Sequence, residues 1–121
     1  MKTYEEFNES YVDERRCTAI VINSIAKYYG LDTIIKDGEL APLDGISTIA
    51  RLKQAGLKVK NVLDQEYIGK TLKSFVKNHP IGVFYVGIRG HALAVIDGKL
   101  IDSSNKGIDN RKIIGHFEII K

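Results

Sequence analysis

The segment HALAVIDGKLID, residues 91–102, decides the fold class, because it has the pattern of two strands joined by a tight turn. Ala92 to Ile96 and Lys99 to Asp102 are the two strands, and Asp97-Gly98 lies between them. This dipeptide accepts the positive backbone angles that a type I′ turn requires at both central positions. The sequence therefore predicts a β-hairpin, and with it an antiparallel sheet.

A two-residue turn also fixes which residues of the hairpin face each other. Ile96 is placed opposite Lys99, and Leu93 opposite Asp102. Because side chains alternate between the two faces of a strand, one face should carry His91, Leu93, Val95, Leu100 and Asp102. Asp102 is then diagonal to His91, and its carboxylate can reach the imidazole.

A helix with Cys17 in or near its first turn is predicted for CTAIVINSIAKYYGL, residues 17–31. One helix face carries residues at the required three- and four-residue spacing: Cys17, Ile20, Val21, Ser24, Ile25 and Tyr28. Gly30 followed by Leu31 predicts the end of this helix. The free N–H groups and the dipole at a helix start favour an anion, so the position of Cys17 suits a thiolate.

The remainder of the chain predicts two more helices and three more strands. The second helix lies within DGISTIARLKQAGLKV, residues 44–59, with Ser47 as its N-cap and Gly56 at its end. The third runs from Tyr67 or Ile68 to about Lys77. Strands are predicted at 57–62, 81–86, 91–96, 99–102 and within 111–120. Helices come first and antiparallel strands follow, which predicts an α+β fold in a single domain, residues 1–121.

Composition and charge exclude several classes of function. The chain has 121 residues and a net charge of +3, and no run of basic residues suggests binding to nucleic acid. No apolar run approaches the length of a membrane span, and the N-terminus MKTYEEFNES lacks the pattern of a signal peptide. One cysteine and three histidines show no metal-ligand spacing. We expect a cytoplasmic protein that needs no metal or cofactor, while its oligomeric state is open.

Three residues together predict thiol chemistry. A reactive cysteine needs a site that favours the thiolate, an imidazole that exchanges a proton with it, and a group that orients the imidazole. Cys17 at a helix start, His91 at the start of a strand and Asp102 on the paired strand supply these three parts. Asn105 is the alternative third member if the hairpin register differs, and Ser103, Ser104 and Asn105 are candidates to line the cleft.

These residues resemble the papain-like cysteine peptidases, and within them the C39-like group. This group includes the double-glycine leader peptidases of bacteriocin exporters and small bacterial or phage-encoded relatives. The likeness covers nearly the whole chain: CTAIVINSIAKYYGL resembles the catalytic-cysteine helix, GISTIARLKQAGLKVK the second helix, HPIGVFYV the strand before the histidine, and GHALAVIDGKLIDSS the histidine strand, turn and aspartate strand.

The resemblance implies a papain-like fold, with N-terminal helices packed on a C-terminal antiparallel sheet. It implies that Cys17 is the nucleophile, His91 the general acid and base, and Asp102 the orienting residue. The expected activity is hydrolysis of a peptide or other amide through an acyl-enzyme, with a peptide or protein as the partner. The expected location is the cytoplasm of a bacterium or of a phage-infected host cell.

Two positions differ from the family pattern. Many members have a glutamine about six residues before the cysteine that donates to the oxyanion, whereas Tyr11 stands there in this chain. Asn8 is the nearest upstream amide, so Asn8 or Tyr11 is the candidate oxyanion donor beside the backbone N–H of Cys17. Thr18 follows the cysteine where the leader peptidases commonly have glycine, which changes the wall of the cleft.

Two other hypotheses remain open from the sequence. The domain could bind a peptide or a host protein without cleaving it, as a phage or bacterial accessory factor or inhibitor would. Alternatively, Cys17 could be a packing residue of the core, because free cysteines are among the most buried residue types. His79 and His116 are predicted to lie at the surface with no functional role.

Overall fold

The structure, a computed structural model, describes residues 16–36, 39, 41–42, 45–60, 66–88, 91–101 and 111–121. These residues form three helices and a five-stranded antiparallel sheet, which confirms the α+β class. The elements in chain order are α1 (Arg16–Tyr28), α2 (Gly45–Gln54), β1 (Lys58–Lys60), α3 (Leu72–Asn78), β2 (Val83–Ile88), β3 (His91–Ile96), β4 (Lys99–Ile101) and β5 (Ile113–Ile120).

The sheet has the strand order β1-β5-β2-β3-β4 and is covered on both faces. Helices α1 and α2 pack on one face, where the buried side chains include Ile20, Leu52, Tyr85, Ala94 and Ile119. Helix α3 packs on the other face through Leu72 and Phe75, against Val86, Leu93 and Val95 among others. Apolar burial on both faces stabilises the three layers, since each buried aliphatic side chain contributes about 1.5–3 kcal/mol.

The predicted hairpin is present between β3 and β4. Ile96 pairs with Lys99 and Val95 with Leu100, as the two-residue turn requires. Asp97 and Gly98 have φ angles of 49° and 77°, the positive values of a type I′ turn. The predicted pairing is therefore confirmed as far as Ile101, while Asp102 lies outside the described residues.

The predicted end of α1 is also confirmed. Gly30 has a φ of 74°, and the N–H of Leu31 donates to the carbonyl of Ala26 over 2.9 Å. This is the Schellman arrangement, in which a left-handed residue lets the last carbonyls of the helix find donors. The prediction was wrong for Tyr28, whose side chain is 48% exposed rather than part of the buried face.

The starts of the other two helices differ from the predictions. Helix α2 begins at Gly45, so Ser47 lies inside its first turn and is not the cap. Helix α3 begins at Leu72 rather than near Tyr67, because Thr71 is extended and its side chain caps the helix by accepting from the N–H of Ser74. The strand predicted at 57–62 is described only from Lys58 to Lys60.

The two histidines predicted to lie at the surface are packed between α3 and the sheet. His116 is buried, and its Nε2 accepts a hydrogen bond from the backbone N–H of Tyr67 over 3.1 Å. His79 is half-buried and stacks on Phe75 with 4.0 Å between ring centroids. Both predictions were wrong for one reason: α3 covers the face of the sheet that the sequence pattern had predicted to be exposed to solvent.

Strand β5 contains one extra residue relative to its neighbour β2. Gly115 pairs with Gly87, but the next pair of the ladder joins Ile113 to Ile88, so Ile114 has no opposite residue. This is a β-bulge, which bends a strand and turns the extra side chain away from its regular direction. Ile114 is accordingly 59% exposed although Ile113 is fully buried.

The edge strand β1 exposes two lysines. Strands β1 and β4 are each described over three residues, and β1 exposes Lys58 and Lys60 on either side of half-buried Val59. Exposed lysines on an edge strand oppose pairing with a further strand, because each added strand would have to accommodate their charge.

Within the described part of the chain, no helix is long and apolar enough to cross a membrane.

Candidate active site

Cys17 is the second residue of α1 and is half-buried against the apolar layer between α1, α2 and the sheet. The first four N–H groups of a helix have no partner within the helix, so the backbone near Cys17 presents donors toward the start of α1. This position was predicted from the sequence. It places the thiol where the helix dipole favours a negative charge.

His91 is the first residue of β3 and pairs with Ile88 at the end of the β2–β3 ladder. The residue following it, Ala92, belongs to the apolar layer beneath α1. Helix α1 and strand β3 thus begin at the same end of the molecule. The chain positions of Cys17 and His91 are far apart, but the fold brings their side chains into contact.

The side chain of His91 forms a hydrogen bond with the thiol of Cys17. Burial raises the pKa of the Cys17 thiol, but this hydrogen bond, the backbone N–H of Ala92 and the charge of a protonated His91 together lower it by more. The pKa of Cys17 therefore lies below its ordinary value. A thiol in this setting ionises more readily, and the thiolate is the form that attacks carbonyl carbon.

The backbone N–H of Ala92 is available to the thiol because of the strand register. Asp97 donates its N–H to the carbonyl of Gly82 over 2.8 Å, and hydrogen-bonded pairs alternate along an antiparallel ladder. Counting from that pair, Ala92 and Gly87 form a non-hydrogen-bonded pair. The N–H of Ala92 therefore points away from β2 and contacts Cys17.

Two side chains of α1, and that of Tyr29 directly after it, connect the helix to neighbouring segments. Near its middle, buried Asn23 accepts the N–H groups of Ile34 and Ile35 over 3.1 and 2.9 Å and donates to the carbonyl of Ile35 over 2.9 Å. At its end, the Tyr28 hydroxyl donates to Asp97 and the Tyr29 hydroxyl to the carbonyl of Ile119. These contacts hold the middle and the end of α1 in place.

The structure adds two groups to the site that sequence reasoning did not assign. One is the N–H of Ala92, which no side-chain pattern could indicate, although the hairpin register contains the information. The other is the Thr18 hydroxyl, whose Oγ1 lies 3.9 Å from the Cys17 Sγ. Thr18 had been noted only as a changed wall of the cleft, but its side chain is buried and contributes a weak hydrogen bond that lowers the pKa of Cys17.

Several predicted site residues lie outside the described part of the chain. They are the orienting residue Asp102, the candidate oxyanion donors Asn8 and Tyr11, and the cleft candidates Ser103, Ser104 and Asn105. Their assignments stay predictions. Among the described residues, no group of three or more histidine, cysteine or acidic side chains is arranged to hold a metal ion.

A scan of protein-family models and searches of curated proteins and of solved structures find no significant match to this chain. The function of the chain is therefore inferred from the geometry of the described residues and from the sequence pattern. The central feature of that geometry is the contact between a thiol at a helix start and an imidazole at a strand start.

Proposed function

We propose that this chain is a papain-like thiol hydrolase of the C39-like type that cleaves a peptide or a related amide bond. The observation that carries the proposal is the hydrogen bond between His91 and the half-buried thiol of Cys17, with the lowered pKa of that thiol. A cysteine that serves only for packing gains nothing from an imidazole partner. A nucleophile needs one.

In the proposed reaction, the Cys17 sulfur attacks the carbonyl carbon of the amide and forms a tetrahedral intermediate. The carbon–nitrogen bond then breaks, and His91 gives its proton to the departing amine. The product bound to the protein is a thioester of Cys17. Water next attacks this thioester, His91 accepts a proton from the water, and the carboxylic acid leaves as the thiolate re-forms.

The remaining roles are assigned from the sequence. Asp102 is proposed to hold the imidazole of His91 in the orientation that faces the sulfur. The oxyanion of the tetrahedral intermediate is proposed to accept from the backbone N–H of Cys17, assisted by Asn8 or Tyr11. Loss of one oxyanion donor lowers the rate of such reactions by about 10²–10³.

The first test is the rate of alkylation of Cys17 by iodoacetamide as a function of pH. Because the chain has one cysteine, the measured rate reports on this thiol alone. We expect an inflection below the ordinary thiol value of about 8.5, which moves upward in His91→Ala. His79→Asn is the matched control, because His79 is also a half-buried histidine but contacts Phe75 instead of Cys17.

The result separates the three hypotheses raised by the sequence. A low inflection that depends on His91 supports hydrolysis. An inflection at the ordinary value in the wild type contradicts the proposal and favours a domain that binds a peptide or protein without cleaving it. A thiol that is unreactive in the folded state indicates a packing role for Cys17.

A further inference from the structure

The hydroxyl of Thr18 is buried beside the reactive sulfur. Its Oγ1 lies 3.9 Å from the Cys17 Sγ, and the residue is 5% exposed. A threonine inside a helix often donates its hydroxyl to the carbonyl three or four residues earlier. Thr18 is only the third residue of α1, so those carbonyls precede the helix. Among the described residues, the group that the hydroxyl contacts is the Cys17 sulfur.

This contact is a weak hydrogen bond for a buried hydroxyl. Sulfur is a weak acceptor, and 3.9 Å is a long distance even for a hydrogen bond to sulfur. When Cys17 is a thiolate, the sulfur has no hydrogen, so the hydroxyl is the donor. A hydroxyl that is removed from water and only weakly bonded costs free energy. A stronger acceptor that came within reach during a reaction would therefore be stabilised by this group.

The proposed reaction produces such an acceptor. When the Cys17 sulfur attacks a carbonyl carbon, an electron pair moves to the carbonyl oxygen, which becomes an oxyanion two bonds away from the sulfur. A donor stabilises this oxyanion from a distance of about 2.7–3.1 Å. A hydroxyl 3.9 Å from the sulfur is close enough to reach it, because the sulfur and the oxyanion are bonded to the same carbon.

We propose that the Thr18 hydroxyl donates a hydrogen bond to the oxyanion of the tetrahedral intermediate, together with the backbone N–H of Cys17. This inference rests on the proposed hydrolase function and adds a catalytic residue to it. The hydroxyl keeps its proton throughout, and its hydrogen bond ends when the carbonyl re-forms and the leaving group departs. An oxyanion accepts more strongly than a resting sulfur, so the hydroxyl stabilises the transition state more than the ground state and thereby accelerates the reaction.

The test compares two reactions of Cys17 that differ in whether an oxyanion forms. Iodoacetamide alkylates the sulfur by displacement of iodide, without an oxyanion. With p-nitrophenyl acetate, the sulfur bonds to the carbonyl carbon, an oxyanion forms, and p-nitrophenolate leaves with the electrons of the broken carbon–oxygen bond. Because the chain has one cysteine, Cys17→Ala gives the background of both reactions. Rates are compared on the alkaline plateau, where the thiol is fully ionised in every variant and a changed pKa has no effect.

The variants separate the hydroxyl from the rest of the Thr18 side chain. Thr18→Val keeps the branched shape without the hydroxyl, Thr18→Ala also removes the hydroxyl, and Thr18→Ser keeps it. Thr48→Val is the matched control, because Thr48 is also a buried threonine but lies in α2. In Thr18→Val and Thr18→Ala, acylation should be about 10²-fold slower than in the wild type while alkylation is nearly unchanged. Both rates should stay close to those of the wild type in Thr18→Ser and Thr48→Val.

Three results would overturn this inference and leave the hydrolase proposal standing. They are an equal change of both rates in Thr18→Val, no change of either rate, and a loss of acylation that Thr18→Ser shares. A wild type whose thiol has an ordinary inflection and forms no acyl-enzyme overturns both proposals.

Discussion

The hydroxyl of Tyr28 donates a hydrogen bond to the carboxylate of Asp97 over 3.0 Å, which joins the last residue of α1 to the turn that follows β3. At the other end of these two elements, Cys17 contacts His91. Helix α1 and strand β3 therefore run side by side in the same direction and are connected at both ends. One connection is structural, and the other is the candidate active site.

Replacing Tyr28 with phenylalanine should raise the pKa of Asp97. That pKa is held below its ordinary value by the backbone N–H of Gly82, then by the Tyr28 hydroxyl. A lowered carboxyl pKa adds stability above the pKa of the unfolded chain, and this stability is lost as the pH falls through the folded value. The loss of stability in Tyr28→Phe should therefore be present at neutral pH and disappear in acid.

An NMR titration of the Asp97 carboxyl in the wild type and in Tyr28→Phe measures this shift directly. Tyr29→Phe is the control, because its hydroxyl donates to the carbonyl of Ile119 and leaves the Tyr28–Asp97 hydrogen bond in place. An Asp97 pKa that is the same in Tyr28→Phe and the wild type would contradict the assigned hydrogen bond.

Replacing Asn23 with leucine should destabilise the fold by about 2–4 kcal/mol. Asn23 is buried and makes three hydrogen bonds to the backbone of Ile34 and Ile35. Leucine has a similar size but removes all three hydrogen bonds, and a buried group that loses its partner costs about 1–3 kcal/mol. Urea unfolding measures the change, with the exposed Lys27→Ala on the same helix as control. Equal unfolding midpoints for Asn23→Leu and Lys27→Ala would contradict a stabilising role for the Asn23 hydrogen bonds.

Replacing His116 with leucine should lower the free energy of unfolding by about 1–3 kcal/mol. The Nε2 of His116 accepts the backbone N–H of Tyr67, and leucine offers no acceptor there. The exposed Ile114→Ser on the same strand should cost much less. Urea unfolding of both variants tests the prediction. If His116→Leu lowers the free energy of unfolding no more than Ile114→Ser does, the hydrogen bond of the imidazole does not stabilise the fold.

The thiol of Cys17 should make stability depend on pH. Its pKa is lower in the folded chain than its ordinary value, so the unfolded state binds more protons between the two values and stability rises with pH across that window. Below the folded pKa the contribution is absent. The difference in unfolding free energy between the wild type and Cys17→Ser should therefore grow toward alkaline pH, whereas a difference that is flat with pH would contradict a lowered pKa.

Much of the fold could be predicted because local chemistry specified it. Asp97-Gly98 determined the turn and hence the pairing of Val95 with Leu100. Gly30 determined the end of α1. The pairing of Cys17 with His91 was predicted from the joint pattern of a cysteine at a helix start, a histidine at a strand start and an aspartate on the paired strand, and the first two side chains are in contact.

The errors arose where distant contacts override the local pattern. His116 alternates with Phe117 along β5, which predicts one buried and one exposed residue, but α3 covers the second face and both are buried. The start of α3 was misplaced because the N–H of Gly69 donates to the carbonyl of Ile113, which keeps the preceding segment out of the helix. A bulge at Ile114 leaves no clear sequence signal, since one extra residue merely shifts the alternation.

The lysines of the edge strand β1 have a consequence for aggregation. Strand β5, IIGHFEII, is the longest strand described and carries four isoleucines and a phenylalanine, a composition that favours pairing between chains. In the folded sheet β5 lies between β2 and β1, so Lys58 and Lys60 are on the strand that pairs with this aggregation-prone segment. These two lysines act as gatekeepers. Substitutions that neutralise them should make the protein precipitate at lower concentration than the wild type, although the free energy of unfolding barely changes.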